Sequence, residues 1–395
     1  MNTQRWNRIM ASAIMSLCLC STAEATITVD TTIDVDSGID GVCSLREAII
    51  AVNAGATYNE CVFTGAPETI VFTVPAPSTI TLLTALPALG NTVTITGPGA
   101  ASLAISGGNL FRVLDIAAGT VTISGLTIRN GNNVAGAGLR FTFGTIGNIT
   151  DSTISNNTGD GIWSNGTLSL TSSTVSGNGF GGAGAGINAL GISTQIINST
   201  ISSNLGTGIL VGAGAGLTML YSTVTGNVDE GLFINGTATV NSTIISGNGN
   251  GLTTFNCMGT VGALSDYNIE DTDICGFTAT NNLVNTNPGI GPLQDNGGPT
   301  LTHALSGGIG SSLAIDKGDP APCGTTLVKD QRGVVRPNSG GDCDIGAYEW
   351  HANGGGGSGS GCSSRAGKNA VLDPTLWLLV LVSCIYLGYR RAYTP

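Results

Sequence analysis

The sequence predicts an all-β protein built as a parallel β-helix, and three observations lead to that fold class. A short polar phrase ending in asparagine returns five times, and its closing asparagines are separated by 21, 26, 23 and 21 residues. The repeat is rich in β-branched residues, Ser, Asn and Gly, and it lacks the 3.6-residue period of a helix. Each unit is too short and too polar to bury a core alone, so the units must stack. The five copies are Asp151–Asn157, Ser172–Asn178, Asn198–Asn204, Tyr221–Asn227 and Asn241–Asn248.

The phrase also predicts which side chains face the core. Its branched apolar residue points inward and its polar neighbours point outward, so Ile154, Val175, Ile201 and Val224 should stack about 4.8 Å apart. The last copy carries both Ile244 and Ile245, which leaves its register open by one residue. We expect the closing asparagines to adopt left-handed backbone at a corner and to hydrogen-bond through their amides as a ladder along the axis. These closing residues are Asn157, Asn178, Asn204, Asn227 and Asn248.

Composition restricts the classes of partner. The 395 residues include 61 glycines, only 10% charged residues and a formal net charge of −11. An acidic surface disfavours nucleic acid and anionic lipid as main partners. No Lys or Arg occurs between Arg140 and Lys317, which excludes a phosphate-binding face along that stretch.

Residues 1–25 are predicted to be a secretory signal peptide. Arg5 and Arg8 precede the apolar stretch Ile9–Cys20, and Ala23-Glu24-Ala25 is a cleavage site of the A-x-A type. Export to an oxidising compartment fits three cysteine pairs at similar spacing, which we expect to form local disulfides. The pairs are Cys43 with Cys61, Cys257 with Cys275, and Cys323 with Cys343.

Residues 26–64 are predicted to form an N-terminal cap. Ser44 followed by Glu47 is a capping box, and an amphipathic pattern runs from Leu45 to the stop at Asn53–Gly55. We expect this short helix to cover the open end of the core, with Arg46 and Glu47 as a surface pair. The stretch Cys43–Ile49 resembles the motif of CSLREA-domain proteins. The resemblance implies a secreted bacterial protein with a right-handed parallel β-helix and no defined activity.

Residues 65–291 are predicted to be β-helix coils. Early strand candidates are Thr69–Val74, Thr79–Leu83, Thr92–Thr96, Val121–Ser124 and Leu126–Ile128. Two Gly/Ala-rich loops, Gly181–Gly186 and Gly212–Gly216, lengthen individual coils, as tight turns or as flexible binding loops.

Residues 292–350 change in character. Four motifs in order make this segment similar to the choice-of-anchor Q domain, which implies a position beside a surface anchor and no assigned chemistry. The motifs are Asn296–Leu305, Ala314–Gly318, Asp330–Gly333 and Cys343–Glu349.

Residues 351–370 are predicted to be a Gly/Ser-rich linker, and residues 371–395 a transmembrane sorting tail. Leu376–Tyr389 is apolar, and the arginines after it should remain cytoplasmic. Asp373, Pro374 and Thr375, together with Cys362, resemble the JDVT-type sorting signal of Gram-negative bacteria. That resemblance implies removal of the tail by a membrane protease and lipidation of Cys362. The alternative is a plain single-span anchor with an inert cysteine.

The sequence predicts no catalytic residue, no cofactor and no metal site. Polygalacturonases and pectate lyases share the β-helix, yet His303 and His351 lie outside the coils, and the coils hold only scattered acids. His303 is expected to be a hydrogen-bonded structural residue. One cluster could bind an acidic sugar and a second could hold a Ca²⁺ ion, but solvated coil edges are the simpler interpretation of the first and a solvated acidic loop that of the second. The clusters are Arg112, Arg129, Arg140 with Asp115, and Asp266, Glu270, Asp271 with Asp273.

The sequence therefore favours an exported protein anchored at the surface of a Gram-negative bacterium. It would act non-enzymatically as an adhesin, a binding surface or a structural spacer. Its partners would be extracellular polysaccharide or a host or matrix surface, plus the sorting protease. The alternative is a carbohydrate-active enzyme, a polysaccharide lyase or glycoside hydrolase. A third possibility is a matrix protein that self-assembles through its coil ends.

Overall fold

The computed structural model describes residues 25–38, 40–179, 184–249, 255–307, 311–337 and 341–351. The predicted linker and sorting tail, with Cys362, Asp373, Pro374 and Thr375, lie outside these ranges, as does the signal peptide except for its last residue. The predicted C-terminal transmembrane helix falls there too. Within the described ranges, no helix combines the length and apolar character needed to cross a bilayer.

The described chain is a parallel β-helix in which each full coil contributes one strand to each of three sheets. Sheet 1 contains Thr26–Val29, Glu68–Phe72, Val93–Thr96, Thr120–Ser124, Ile146–Thr150, Thr167–Thr171, Thr194–Ile197, Gly216–Leu220 and Thr237–Asn241. Sheet 2 contains Ser78–Thr81, Leu103–Ser106, Thr127–Arg129, Thr153–Ser155, Thr174–Ser176, Thr200–Ser202, Thr223–Thr225, Ile244–Ser246 and Ile269–Glu270. Sheet 3 contains Leu114–Ile116, Leu139–Phe141, Ile162–Ser164, Ile187–Ala189, Ile209–Val211, Leu232–Ile234 and Cys257–Met258. The early strands differ from the predicted ones only at their ends.

The aliphatic column has the predicted register. Ile154 pairs with Val175, which pairs with Ile201 and then Val224, and all four side chains are fully buried. Val224 pairs with Ile245, so Ile245 continues the column and Ile244 points outward. Ile244 is nevertheless buried, because it packs in a second apolar cluster with Leu305, Ala314 and Ile345.

The predicted asparagine ladder is present. Each closing amide donates from Nδ2 to Oδ1 of the next, at 2.8, 3.0, 2.9 and 2.8 Å from Asn157 through to Asn248. The same Oδ1 atoms accept the backbone N–H of the preceding asparagine, so the ladder also satisfies buried main-chain donors.

The expectation of left-handed backbone at the closing asparagines is wrong. The positive φ angles fall on the residue before each one: 55° at Asn156, 66° at Gly177, 56° at Ser203, 66° at Gly226 and 63° at Gly247. The bend is made one residue early because the closing amide must point into the coil interior to reach its partners.

The cap helix spans Leu45–Ala54, with the predicted capping box at Ser44 and Glu47 and a left-handed Gly55 at its end. The expected surface pair of Arg46 and Glu47 is wrong. Glu47 is fully buried and accepts the backbone N–H of Ser37 and of Ser44. Arg46 instead pairs with Asp34 at 2.8 Å. The side chains of Arg46 and Glu47 therefore bind the neighbouring loop residues to the cap helix.

The segment after residue 286 folds back over the outer face of sheet 2. It contains the antiparallel hairpin Ile290–Gln294 and Thr302–Leu305. Fully buried Gln331 bonds outward-facing threonines of two coils: its Nε2 donates to Thr174 Oγ1 at 2.9 Å, and its Oε1 accepts from Thr200 Oγ1 at 2.6 Å. Three disulfides, Cys43–Cys61, Cys257–Cys275 and Cys323–Cys343, join the same cysteines that the spacing pairs.

A buried ionic network underlies this segment. Arg336, which is 1% exposed, donates to Glu349 Oε2 at 2.8 Å and lies 4.7 Å from the ring centre of Tyr221. Asp330 accepts two bonds from Arg332, at 2.9 and 2.7 Å. The motifs that resemble the choice-of-anchor Q domain therefore supply the contacts that hold the segment on the coils.

Candidate binding face on sheet 3

The outer surface of sheet 3 presents one side chain per coil in a single row. Because alternate residues of a strand point to opposite sides, the middle residue of each three-residue strand faces outward. Inter-strand pairing places these residues in register from one coil to the next. We call this row the ladder face, and it consists of Asp115, Arg140, Trp163, Asn188, Leu210, Phe233 and Met258.

Most of the ladder face is apolar and accessible. Trp163, Leu210 and Phe233 are partly exposed, and Met258 is 43% exposed. The turns that enter sheet 3 add further exposed apolar side chains beside the row. These are Leu205, Val228 and Phe255. Contiguous exposed apolar surface is rare on soluble proteins and is typical of interaction sites.

The first rungs of the face are charged. Arg140 donates from Nε and Nη2 to the two carboxylate oxygens of Asp115, at 2.7 and 2.5 Å. Arg112 donates to the carbonyls of Ala135 and Gly136, and its Nη1 lies 3.5 Å from Asp115 Oδ2. Burial lowers the pKa of Arg112, and the nearby Arg140 cation lowers it further. The hydrogen bonds that Arg140 donates to Asp115 raise the pKa of Arg140.

Arg129 does not join this cluster, although the sequence grouped it there. It lies on sheet 2, where its Nη2 donates to Thr79 Oγ1 at 3.0 Å. The grouping was wrong on this point because residues close in sequence are distributed over different faces of the coil.

Asn188 occupies the centre of the face. Its Nδ2 donates to Asp160 Oδ2 at 3.2 Å, and that carboxylate also accepts the backbone N–H of Ala185 at 2.8 Å. Burial raises the pKa of Asp160. Asn188 Oδ1 is buried and has no hydrogen-bond partner within the described part of the protein.

The acids between Cys257 and Cys275 do not form a metal cage. Glu270 accepts from Thr272 Oγ1 and from the backbone N–H of Ile274 and Cys275. Asp271 accepts from Asn256 Nδ2 at 2.6 Å, at the end of the asparagine ladder. Over the residues that the structure describes, no group of three or more potential ligands is close enough to hold a metal ion.

His303 is the structural residue that the sequence predicts. Its ring nitrogens lie 2.8 Å from Ser202 Oγ and 2.7 Å from the carbonyl of Gly291, and burial lowers its pKa.

Sequence reasoning missed the ladder face as a unit. A signal was available in a glycine that precedes the sheet 3 strand in five successive coils: Gly138-Leu-Arg, Gly161-Ile-Trp, Gly186-Ile-Asn, Gly208-Ile-Leu and Gly231-Leu-Phe. Each glycine packs beneath a closing asparagine. At Gly208 an added Cβ would lie 2.7 Å from Asn227 Nδ2. The third residue of each tripeptide is the one that the face displays.

Of the comparisons with known proteins, the match to a family model agrees with this architecture. No curated protein matches the chain. A solved structure, ORF18 of Geobacillus virus E2, is 12% identical, with a TM-score of 0.25; the match covers 62% of this chain and 60% of that one. The family described as the right handed beta helix region matches residues 114–261, from the first strand of sheet 3 to just beyond its last. The chain is therefore similar to that family over its central coils, and its fold is a right-handed parallel β-helix.

Proposed function

We propose that the chain is an exported bacterial surface protein whose β-helix acts non-enzymatically, as a binding surface or adhesin and as the spacer that carries it. The observation that supports this most directly is the ladder face. Trp163, Leu210 and Phe233 stand in register on a rigid sheet. A row of apolar side chains on fixed backbone is suited to holding a partner, because little conformational entropy is lost on binding.

The hydrogen bonds made by the carboxylates of the coils also favour a binding role over glycoside hydrolysis. Asp115 accepts from Arg140 and lies in an ion pair with Arg112. Asp160 is held by Ala185 and Asn188. These carboxylates are engaged by protein donors, whereas hydrolysis of a glycosidic bond requires two carboxyl groups facing one substrate.

Export and display belong to the same proposal. Three disulfides favour an oxidising compartment. Removal of the signal at residue 25, cleavage of the tail and lipidation of Cys362 would place the protein on the outer membrane. Intact mass of the protein extracted from that membrane checks each step. A full-length mass without lipid would contradict the sorting part of the proposal and leave a simple anchor.

A second candidate is a polysaccharide lyase, and the Arg112 environment favours it. A lyase of this fold needs a basic side chain in its deprotonated form to remove a proton from the sugar. Burial lowers the pKa of Arg112 and so favours that form.

Incubation of the full-length protein in detergent with a panel of polysaccharides separates the two candidates. We expect neither new reducing ends nor unsaturated products that absorb in the near ultraviolet. Products that form with the wild type and disappear in Arg112→Ala would overturn the non-enzymatic function.

A further inference from the structure

We propose that the ladder face binds a neutral polysaccharide chain lying along the axis of the β-helix, with Trp163 as its main stacking platform. The inference rests on the proposed function and names the ligand class of that site. Four observations lead to it: the spacing of the row, the position of Trp163, the hydrogen-bond acceptors beside it and the charge around it.

The spacing of the row suits a linear polymer. Successive rungs lie about 4.8 Å apart, so Trp163 and Phe233, which are three rungs apart, are separated by about 14 Å. A sugar ring is of similar length to one rung step. An oligosaccharide of about four rings therefore reaches from one aromatic side chain to the other.

Trp163 is placed to receive the apolar face of a sugar ring. Its side chain points outward between Arg140 and Asn188, and it is partly exposed. On the preceding coil, a Cβ added at Gly136 would lie 3.0 Å from Trp163 Cβ. Because glycine stands at this position, residue 136 places no side chain against the base of the indole.

The face offers acceptors to sugar hydroxyl groups. Asn188 Oδ1 is buried and has no partner within the described residues, which is unfavourable for an amide oxygen. Rotation of this side chain toward the surface would let a hydroxyl group on the rung after Trp163 donate to it. Asp229 and Glu230, at the turn before Phe233, add carboxylate oxygens at the rim.

The charge selects a neutral chain. In or beside the row there are four carboxylates but only two guanidinium groups, those of Arg112 and Arg140. The acids are Asp115, Asp160, Asp229 and Glu230. No Lys or Arg follows until Lys317, and the whole chain carries −11, so a polyanion is repelled along most of the face. The hydroxyl groups of a polyol, in contrast, can donate hydrogen bonds to the accessible carboxylates of Asp229 and Glu230.

The test measures binding of the full-length protein in detergent to a soluble β-glucan and a galactomannan, with polygalacturonate as the acidic probe. We expect saturable binding of at least one neutral polymer and weaker binding of polygalacturonate. Trp163→Ala should weaken binding about ten-fold, and Trp163→Phe should retain most of it. The control is Ile146→Ala, which removes an exposed apolar side chain from sheet 1 and should leave affinity unchanged.

Three results would overturn the inference: preference for polygalacturonate, equal affinity of Trp163→Ala and the wild type, or saturable binding of neither neutral polymer. Thermal unfolding of each variant separates lost affinity from lost fold. Failure of the proposed function has a different readout, since it appears as cleavage of the bound polymer. Cleavage with intact Trp163-dependent binding would retain the site and replace the non-enzymatic role.

Discussion

The side chain of Asn204 hydrogen-bonds to Asn227 at 2.9 Å and to the carbonyl of Val175 at 3.2 Å, which ties three successive coils together through one amide. Its Oδ1 also accepts the backbone N–H of Asn178 at 3.1 Å. The residue is fully buried. If this amide is removed, the backbone N–H of Asn178 loses its acceptor, and Asn178 Nδ2 and Asn227 Oδ1 each keep only one of their two hydrogen bonds.

We predict that Asn204→Ala lowers the free energy of unfolding by about 2–4 kcal/mol, because buried partners lose their hydrogen bonds without access to water. Chemical denaturation followed by circular dichroism measures the loss. Asn235→Ala is the control, since Asn235 is exposed and its side chain makes no hydrogen bond within the described ranges. Equal stability of the two variants would contradict an energetic role for the ladder.

Gly208→Ala should also destabilise the coils. Its Cβ would lie 2.7 Å from Gly231 O and 2.7 Å from Asn227 Nδ2. Backbone of the next coil cannot move away without breaking the pairing of sheet 3. We expect a loss of about 1–3 kcal/mol by overpacking. Gly214→Ala serves as a comparison, since its added Cβ meets nothing within 4 Å and only its φ of 79° opposes the change. A larger loss at Gly214 would show that backbone strain outweighs packing.

Gln331→Ala should release the C-terminal segment from sheet 2. Gln331 is fully buried and joins Thr174, Thr200 and Thr300, and alanine leaves their hydroxyl groups without that partner. Limited proteolysis should then cut within residues 292–350 faster than in the wild type, while the coils resist. Gln195→Ala, at an exposed position of sheet 1, should leave the rate unchanged. Unchanged cleavage in Gln331→Ala would mean that the apolar cluster around Ile244 is sufficient to hold the segment.

Stability of the docked segment should depend on the protonation of Asp344. Burial, followed by the nearby charge of Glu349, raises the pKa of Asp344 from 3.8 to about 7. A carboxyl group whose folded pKa is raised contributes stability that is fully present below pH 3.8 and is lost as pH rises through about 7.

Thermal midpoints between pH 5 and pH 8 check this contribution. The wild type should lose stability across that range relative to Asp344→Asn, which cannot ionise. The difference between the two proteins removes the effects of other groups, such as His303, that titrate in both. Parallel curves would contradict the shifted pKa.

The Cys257–Cys275 disulfide closes the far end of the coils. Its two cysteines are 18 residues apart in sequence. Closing a loop of that size lowers the entropy of the unfolded chain and thereby stabilises the folded state by about 3 kcal/mol. We predict that replacing both cysteines with serine exposes the last rungs of sheets 2 and 3 to hydrogen exchange. The amides around Ile154, in the middle of the column, should exchange as in the wild type. Loss of protection throughout the coils would indicate that the whole solenoid unfolds as one unit.

The repeating interior can be predicted from the sequence because the residues that form it lie within one short repeat. Ile154 and its equivalents, the closing asparagines and the capping box at Ser44 can be identified from spacing alone. The partners of Gln331 and Arg336 cannot, because Thr200 and Tyr221 are more than 100 residues away in sequence. The pairing of Arg46 with Asp34 could not be predicted either, because only the folded cap brings the two side chains together. The ladder face was missed because its members share a position and not a residue type.

Turn lengths differ among the three corners of the coil. Between sheets 1 and 2, six successive coils use the same two-residue connection, as in Thr150 to Thr153. Both connections that border sheet 3 vary in length: four residues separate Asn157 from Ile162, whereas eight separate Asn178 from Ile187. Insertions are thus accommodated on either side of Trp163 and Phe233 without disturbing the column beneath them. New specificity can accordingly be grafted at these two corners, as it is on the loops of an antibody framework, while the scaffold remains constant.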